Sequence, residues 1–375
     1  MSSPRRVLDR RPVAWVAAIA APIVVGAAVL VPMAASGAVD LPDKSVEELI
    51  EFASASEVDA LSGTIEQTSE LGLPDLAGLT GGSQEGDDEP RAAEIDDLIA
   101  LLTGSHTANV YLDGDLARLQ VLDRLGERNV YVDHGAETAW FVDSESQTAT
   151  RIALPAGESS GAGDADHALP TPDEMLDEAL ERLDATTEVT VGTDARVAGR
   201  EVYELILEPR TEDTLVGEVR FAIDGENGAA LAASVTARGA GAPAFEVAYT
   251  RIDFAAPDPG VFVFEPGADM VVAEKDLTRP DDAEHEDDAK GDDAAPVVIG
   301  EGWATVVALT AADGSGVPQA LDPAQLTMLE RVTTAVEGGR ALQTSLVSVL
   351  FTDDGRVLAG AVPVSRLVEA ARTGR

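Results

Sequence analysis

Residues 218–228 read EVRFAIDGENG, and the reading of this stretch decides the fold. Val219, Phe221 and Ile223 alternate with Glu218, Arg220 and Asp224, the period of a strand with one apolar and one polar face. Asp224-Gly225-Glu226-Asn227-Gly228 then supplies the turn chemistry of a hairpin loop. Upstream, Tyr203, Leu205 and Leu207 alternate with Glu204 and Glu208; downstream, Phe245, Val247 and Tyr249 alternate with Glu246 and Thr250. These strands form an antiparallel meander.

An earlier stretch, Ser105 to Leu154, repeats the pattern. Val110 and Leu112 alternate with Asn109, Leu119 and Val121 alternate with Arg118 and Gln120, and Asp113-Gly114, Leu125-Gly126 and His134-Gly135 punctuate the run. The pattern predicts a second meander and a sheet apolar on one side and wet on the other. Helices flank the meanders. Ser45 and Glu48 make a capping box before Val46, Leu49, Ile50 and Phe52; Ile95, Leu98, Ile99, Leu101 and Leu102 read as a second helix; Thr171-Pro172-Asp173-Glu174 opens a third through Met175, Leu176, Ala179, Leu180 and Leu183. Residues 74–92 and 156–170 read as loops.

Composition narrows the function classes. The 375 residues hold 26 basic against 68 acidic side chains, a net charge of −42, with Lys44, Lys275 and Lys290 the only lysines. Such a surface repels phosphate backbones, which excludes nucleic acid as a partner. The chain has no cysteine, so disulfides, thiolate catalysis, Cys-ligated metals and a lipid-modified N-terminal Cys are excluded.

Arg5, Arg6, Arg10 and Arg11 precede an uncharged stretch from Val13 to Met33. It has the length of a membrane span, and Ser36-Gly37-Ala38 offers the small residues of a signal-peptidase site, so a retained anchor and a cleaved signal peptide both stand. Either places the rest of the chain outside the cytoplasmic membrane, in the cell envelope or secreted, because the positive flank stays inside. The expected organisation is a signal peptide or anchor over 1–38, a sheet-and-helix domain over 39–273, an acidic disordered linker over 274–297 and a small α+β module over 298–375. Residues 274–293 carry ten acids and three bases. Within the module, Gly302–Thr310, Leu321–Arg331, Leu346–Phe351 and Val357–Val362 read as strand, helix and hairpin.

Catalytic signals fail on context. Gly157-Glu158-Ser159-Ser160-Gly161 matches a nucleophile-elbow pattern but lies in a low-complexity loop without the strand and helix that present the serine. His106, His134, His167 and His285 lack metal-ligand spacing, and the acidic run lacks the alternating ligands and central glycine of a calcium loop. The expectation is a non-enzyme without cofactor or metal.

Several stretches carry a family resemblance: Leu61-Ser62-Gly63-Thr64-Ile65-Glu66-Gln67, Asn129-Val130-Tyr131-Val132-Asp133-His134-Gly135 running into Ala139-Trp140-Phe141, and Val197-Ala198-Gly199-Arg200-Glu201-Val202-Tyr203-Glu204-Leu205 before Pro209. With the order of elements, they resemble the bacterial LolA-like and RseB-like lipoprotein-carrier superfamily, and its actinobacterial branch most. The resemblance implies a curved, half-open antiparallel barrel of about ten to eleven strands, its concave face covered by helices. It implies an exported carrier or sensor that holds lipid or lipoprotein acyl chains between sheet and helices. The alternative it implies is a regulatory protein that binds an anti-sigma factor or another envelope protein and responds to lipid. The inward apolar side chains nominated for the cavity are Val110, Leu112, Leu119, Val121, Tyr131, Leu205, Leu207, Phe221, Ile223, Phe245 and Val247, with core packing as the competing role for each.

Overall fold

The computed structural model describes residues 41–72, 104–122, 126–154, 171–276, 297–310 and 330–373. The N-terminal apolar segment, the expected helix at 95–102, both expected loops, the serine motif, His167 and His285, the linker from 277 and the expected helix from Leu321 as far as residue 329 lie outside the described residues. No helix among the described residues is long and apolar enough to cross a membrane.

The first meander comprises β1 (Ala60–Ser69), β2 (Gly104–Asp113), β3 (Leu116–Leu122), β4 (Glu127–Asp133), β5 (Thr138–Asp143) and β6 (Thr148–Ala153). The second comprises β7 (Thr187–Val191), β8 (Ala195–Val197), β9 (Arg200–Pro209), β10 (Val216–Asp224), β11 (Ala230–Ala237) and β12 (Pro243–Asp253), and β13 (Val271–Asp276) follows. They make one half-open sheet in the order β13-β6-β5-β4-β3-β2-β1-β12-β11-β10-β9-β7, with β8 also on β9. It has thirteen strands rather than ten to eleven, because short segments such as β8 and β13 join it. Pairing is antiparallel except between β13 and β6, so residues 274–276, expected in the linker, extend a strand.

Two helices lie on the sheet. Helix α1 (Val46–Ser54) begins with the expected capping box: Glu48 N–H donates to Ser45 Oγ at 3.2 Å and Ser45 N–H to Glu48 Oε2 at 2.8 Å. Helix α2 (Pro172–Glu181) starts at Thr171 in the same way. α1 docks against the β10–β11 hairpin, where Gly228 at φ +82° brings its backbone so close that a Cβ would lie 2.6 Å from Phe52 O.

The second sheet has the order β14-β15-β19-β18-β17-β16, from β14 (Val297–Ile299), β15 (Val306–Thr310), β16 (Thr334–Val336), β17 (Gly339–Gln343), β18 (Ser348–Thr352) and β19 (Arg356–Gly360). Helix α3 (Val364–Thr373) buries Leu367 and Ala370 against Val306, Leu350 and Leu358. This sheet is packed onto the large one at the strand ends. Ser345 N–H donates to Leu71 O at 2.9 Å, Leu215 N–H to Ala361 O at 2.8 Å, and Trp303 Nε1 to Thr187 Oγ1 at 2.9 Å. Leu346, Val347 and Ala361 join the main core.

The two meanders meet where β1 pairs with β12, with a register shift between Thr64 and Ile65. Here Gly63 makes room for Tyr249: a Cβ on Gly63 would stand 2.6 Å from the ring and 2.9 Å from Arg251 O. Gly63→Ala should therefore destabilise the fold by about 1–3 kcal/mol through overpacking, read as a lower urea midpoint with an unchanged slope.

Candidate functional site

Cross-strand register collects the nominated side chains onto one face. Leu207, Val219, Val235 and Phe245 form one row, and Leu205, Phe221, Ala233 and Val247 the next. Tyr249, Ile65, Ala108 and Val121 carry the face across the seam, followed by the row Gly63, Val110, Leu119, Val130 and Phe141 and the row Leu61, Leu112, Ala117, Val132 and Ala139. Ten of the eleven nominated residues share this face, because the side-chain period of a strand is two and the ladders are in register.

Tyr131 does not share it. Its row is Tyr111, Arg118, Tyr131, Trp140 and Arg151, on the opposite side of the sheet. The chain between β12 and β13 crosses that side. Phe264 stacks on Tyr131 at 5.3 Å and meets Trp140 edge-on at 5.3 Å, while Arg118 donates to Val261 O at 3.1 Å and places its guanidinium 4.8 Å from the Tyr131 ring centre. Tyr131 thus anchors a crossing segment, and burial pushes its phenol up while Arg118 opposes the shift.

The shared face has two parts. Over β9–β12, Leu205, Leu207, Phe221, Ile223, Phe245 and Val247 are all 0–1% exposed. Phe52 of α1 packs edge-on against Tyr203, Leu49 is buried in the same core, and Leu176 of α2 joins it. Over β2–β5, Leu119, Val121 and Val130 are buried, but Val110, Leu112, Val132 and Phe141 are only half-buried. In this half the rows through Val110 and Leu112 are apolar from β2 to β5, whereas the row through Val121 ends on Arg128 and Asp143, so the face suits hydrocarbon with a charged border. Sequence reading missed Tyr203, Tyr249, Val130, Val132 and Phe141 as members; the alternation in β4, β5, β9 and β12 contains the signal for all five.

One end of the apolar core is strapped by residues 41–44. Tyr203 Oη donates to Pro42 O at 2.9 Å, Leu41 N–H to Asp194 Oδ2 at 3.3 Å, and the Lys44 ammonium stands 4.5 Å from the Phe52 ring centre. A hollow of about 330 Å³ lined by Asp43, Lys44, Glu48, Glu51, Phe52 and Ala55 lies here, and it contains none of the nominated residues.

Burial displaces two carboxyls furthest. Asp173, at the start of α2, is raised to about 7 by desolvation, although Ala230 N–H donates to its Oδ1 at 2.6 Å. Glu246 is likewise raised to about 7 by burial. It lies on the polar side of β12 between Ser234 and Thr68, where the expected wet face is covered: Glu246, Ser234 and Thr68 are each 8% exposed or less. Glu204 on the same side is also buried, and it is held by Arg220 at 2.5 Å. Among the described residues no group of three or more His, Asp or Glu side chains could hold a metal ion; His167, His285 and the acid run from 277 lie outside them.

No family model and no curated protein matches the chain. Solved structures do. A chain of the Pseudomonas aeruginosa MucA/MucB complex is 15% identical, with 87% of this chain and 96% of that one covered and a TM-score of 0.43. MucB alone is 16% identical over 88% and 96%, at 0.41. A LolA superfamily protein from Nitrosomonas europaea is 9% identical over 59% and 99%, at 0.23. These are likenesses of fold, and none bears on an actinobacterial branch.

Because the folded state raises the Glu246 carboxyl from 4.5 to about 7, it binds that proton more tightly than the unfolded chain does. The associated stability is complete below about pH 4.5 and is lost as pH rises towards 7. Glu246→Gln, which cannot ionise, should match the parent in thermal stability at pH 4 and exceed it at pH 8, by on the order of 3 kcal/mol at most. Melting curves across that range check the sign.

Proposed function

We propose that the protein is an exported, non-enzymatic carrier or sensor that holds an acyl chain of a lipid or lipoprotein against the shared apolar face. The observation that carries this reading is the contrast within the face. The β9–β12 half is sealed by α1 and α2, whereas Val110, Leu112, Val132 and Phe141 on the first meander remain half-buried. Hydrocarbon laid there would be removed from water at roughly 0.8 kcal/mol per CH₂. On this reading Val110, Leu112, Leu119 and Val121 contact the ligand, while Leu205, Leu207, Phe221, Ile223, Phe245 and Val247 are the packed floor that shapes it. The arginine-flanked N-terminal segment supports an envelope location, with residues 39–273 as the binding part and 298–375 as an attached module.

A second reading draws on the small sheet. A regulatory protein that binds an anti-sigma factor and responds to lipid needs a second element in contact with the ligand-bearing core, and Leu346 and Val347 supply that contact.

Full chain extracted in mild detergent should carry co-purifying lipid by native mass spectrometry and take up a fluorescent fatty-acyl probe. Leu112→Glu, at a half-buried position packed against neither core, should abolish uptake with little change in the melting temperature, since a carboxylate there meets the ligand without a partner. Phe221→Ala should instead cost about 3–5 kcal/mol of stability as a core truncation. A lipid-free protein that takes up no probe overturns the carrier reading.

A further inference from the structure

Few large apolar side chains reach the surface among the described residues, and four of the seven that do lie on edge strands, Val271 and Val272 on β13 and Val297 and Val298 on β14. Among the described residues Val263, Val271 and Val272 are 67%, 67% and 48% exposed. Val271 and Val272 open β13, the last strand of the large sheet, and Val263 lies on the crossing segment that leads to it. β13 pairs with β6 on one side and has no strand beyond it on the other among the described residues. Exposed edges are normally protected by charge, proline, a bulge or a covering element. Charge guards the far half of β13 at Glu274, but among the described residues its opening Val271-Val272-Ala273 has none of these. At the opposite edge β7 is guarded, with Glu188 paired to Arg210 at 3.0 Å.

We propose that β13 is a docking edge for an extended segment of another protein, rich in lysine or arginine, that adds to the sheet as a further strand. Strand addition gives affinity through main-chain hydrogen bonds and specificity through alternate side chains. Val271 and Val272 point to opposite faces, so the incoming strand meets an apolar neighbour on each. Electrostatics selects the occupant. The chain carries −42 overall, and residues 274–293, which begin within β13 itself, hold ten acids against three bases. A second copy would bring another −42 of like charge to the edge, whereas a cationic segment is attracted to it. β6 separates the edge from the half-buried face on β2–β5, so this inference stands whether or not lipid binds.

The test uses the full chain in mild detergent and two labelled peptides of alternating valine with lysine or with glutamate. Fluorescence anisotropy should show binding of the lysine peptide, weakened about tenfold or more at high salt, and none of the glutamate peptide. Hydrogen exchange of residues 271–276 should slow when the lysine peptide binds. Val272→Lys, at an exposed position, should weaken that binding at least tenfold with an unchanged melting temperature; if it unfolds, the exchange pattern of the parent protein decides. Equal binding of both peptides, protection elsewhere, no binding, or a dimer protected at β13 each overturns the proposal.

Discussion

The pairing of β1 with β12 is the constraint on which the rest of the structure depends. Each meander closes locally, but the two become one sheet only because residues 62–69 find residues 245–253 across about half of the chain. Ordering so long a loop costs entropy that a single ladder must offset. The seam concentrates its packing accordingly. Tyr249 lies over bare Gly63, Ile65 is fully buried opposite it, and the register shift at Thr64 lets both side chains turn to the apolar face. Four of the five rows of that face reach this ladder, so a slip of one residue would send one meander's apolar set to the wrong side.

The seam also explains why the face has two characters. Towards β9–β12 the helices arrive from both sides in sequence: α1 from before β1, α2 from between the meanders. Their anchors are specific. Phe52 meets Tyr203, and Asp173 accepts from Ala230 N–H. Towards β2–β5 the described residues bring no helix, and the side chains stay half-buried. The small sheet plugs the strand ends beneath the sealed half, where Leu215 bonds to Ala361 and Ser345 to Leu71. Arg238 reinforces that end by donating to the carbonyls of Thr211, Thr214 and Val216. The core is thus closed from below and strapped by residues 41–44 above, which leaves the first meander as the open side among the described residues.

Much of this was legible in the sequence. Alternation at Leu205, Phe221 and Phe245 identifies strands and their inward faces, and capping boxes at Ser45 and Thr171 mark two helices to the residue. Tyr131 was misread because alternation reports parity, not what covers each face. Its neighbours Val130 and Val132 obey the pattern, and Tyr131 itself reads as apolar only because Phe264, more than a hundred residues away, lies over it. The same crossing segment delivers β13 beside β6 in parallel, a placement no local turn signal encodes. Burial of Glu204 and Glu246 on the expected wet face was hidden for a like reason, since a glutamate in a strand reads as solvent-facing until its surroundings are known.

A chain with so few cations must place them well, and one carboxylate shows how. Asp224 is fully buried, and its oxygens do three things at once. They accept from Glu226 and Asn227 N–H at 3.0 and 3.1 Å, which fixes the hairpin turn, and they bind Arg200, whose guanidinium also reaches Glu226 at 2.7 Å. Arg200 is held strongly in its charged form by Asp224 and lies 4.9 Å from the Phe254 ring centre, just past the end of β12. The hairpin, β9 and the start of the crossing segment are therefore tied through one buried ion pair. Removing Arg200 would leave the buried Asp224 carboxylate without its counter-charge, a far larger penalty than losing an exposed pair such as Arg210–Glu188. Charge excess keeps the surface acidic, while the few arginines that enter the fold act where two or more chain segments must be held together.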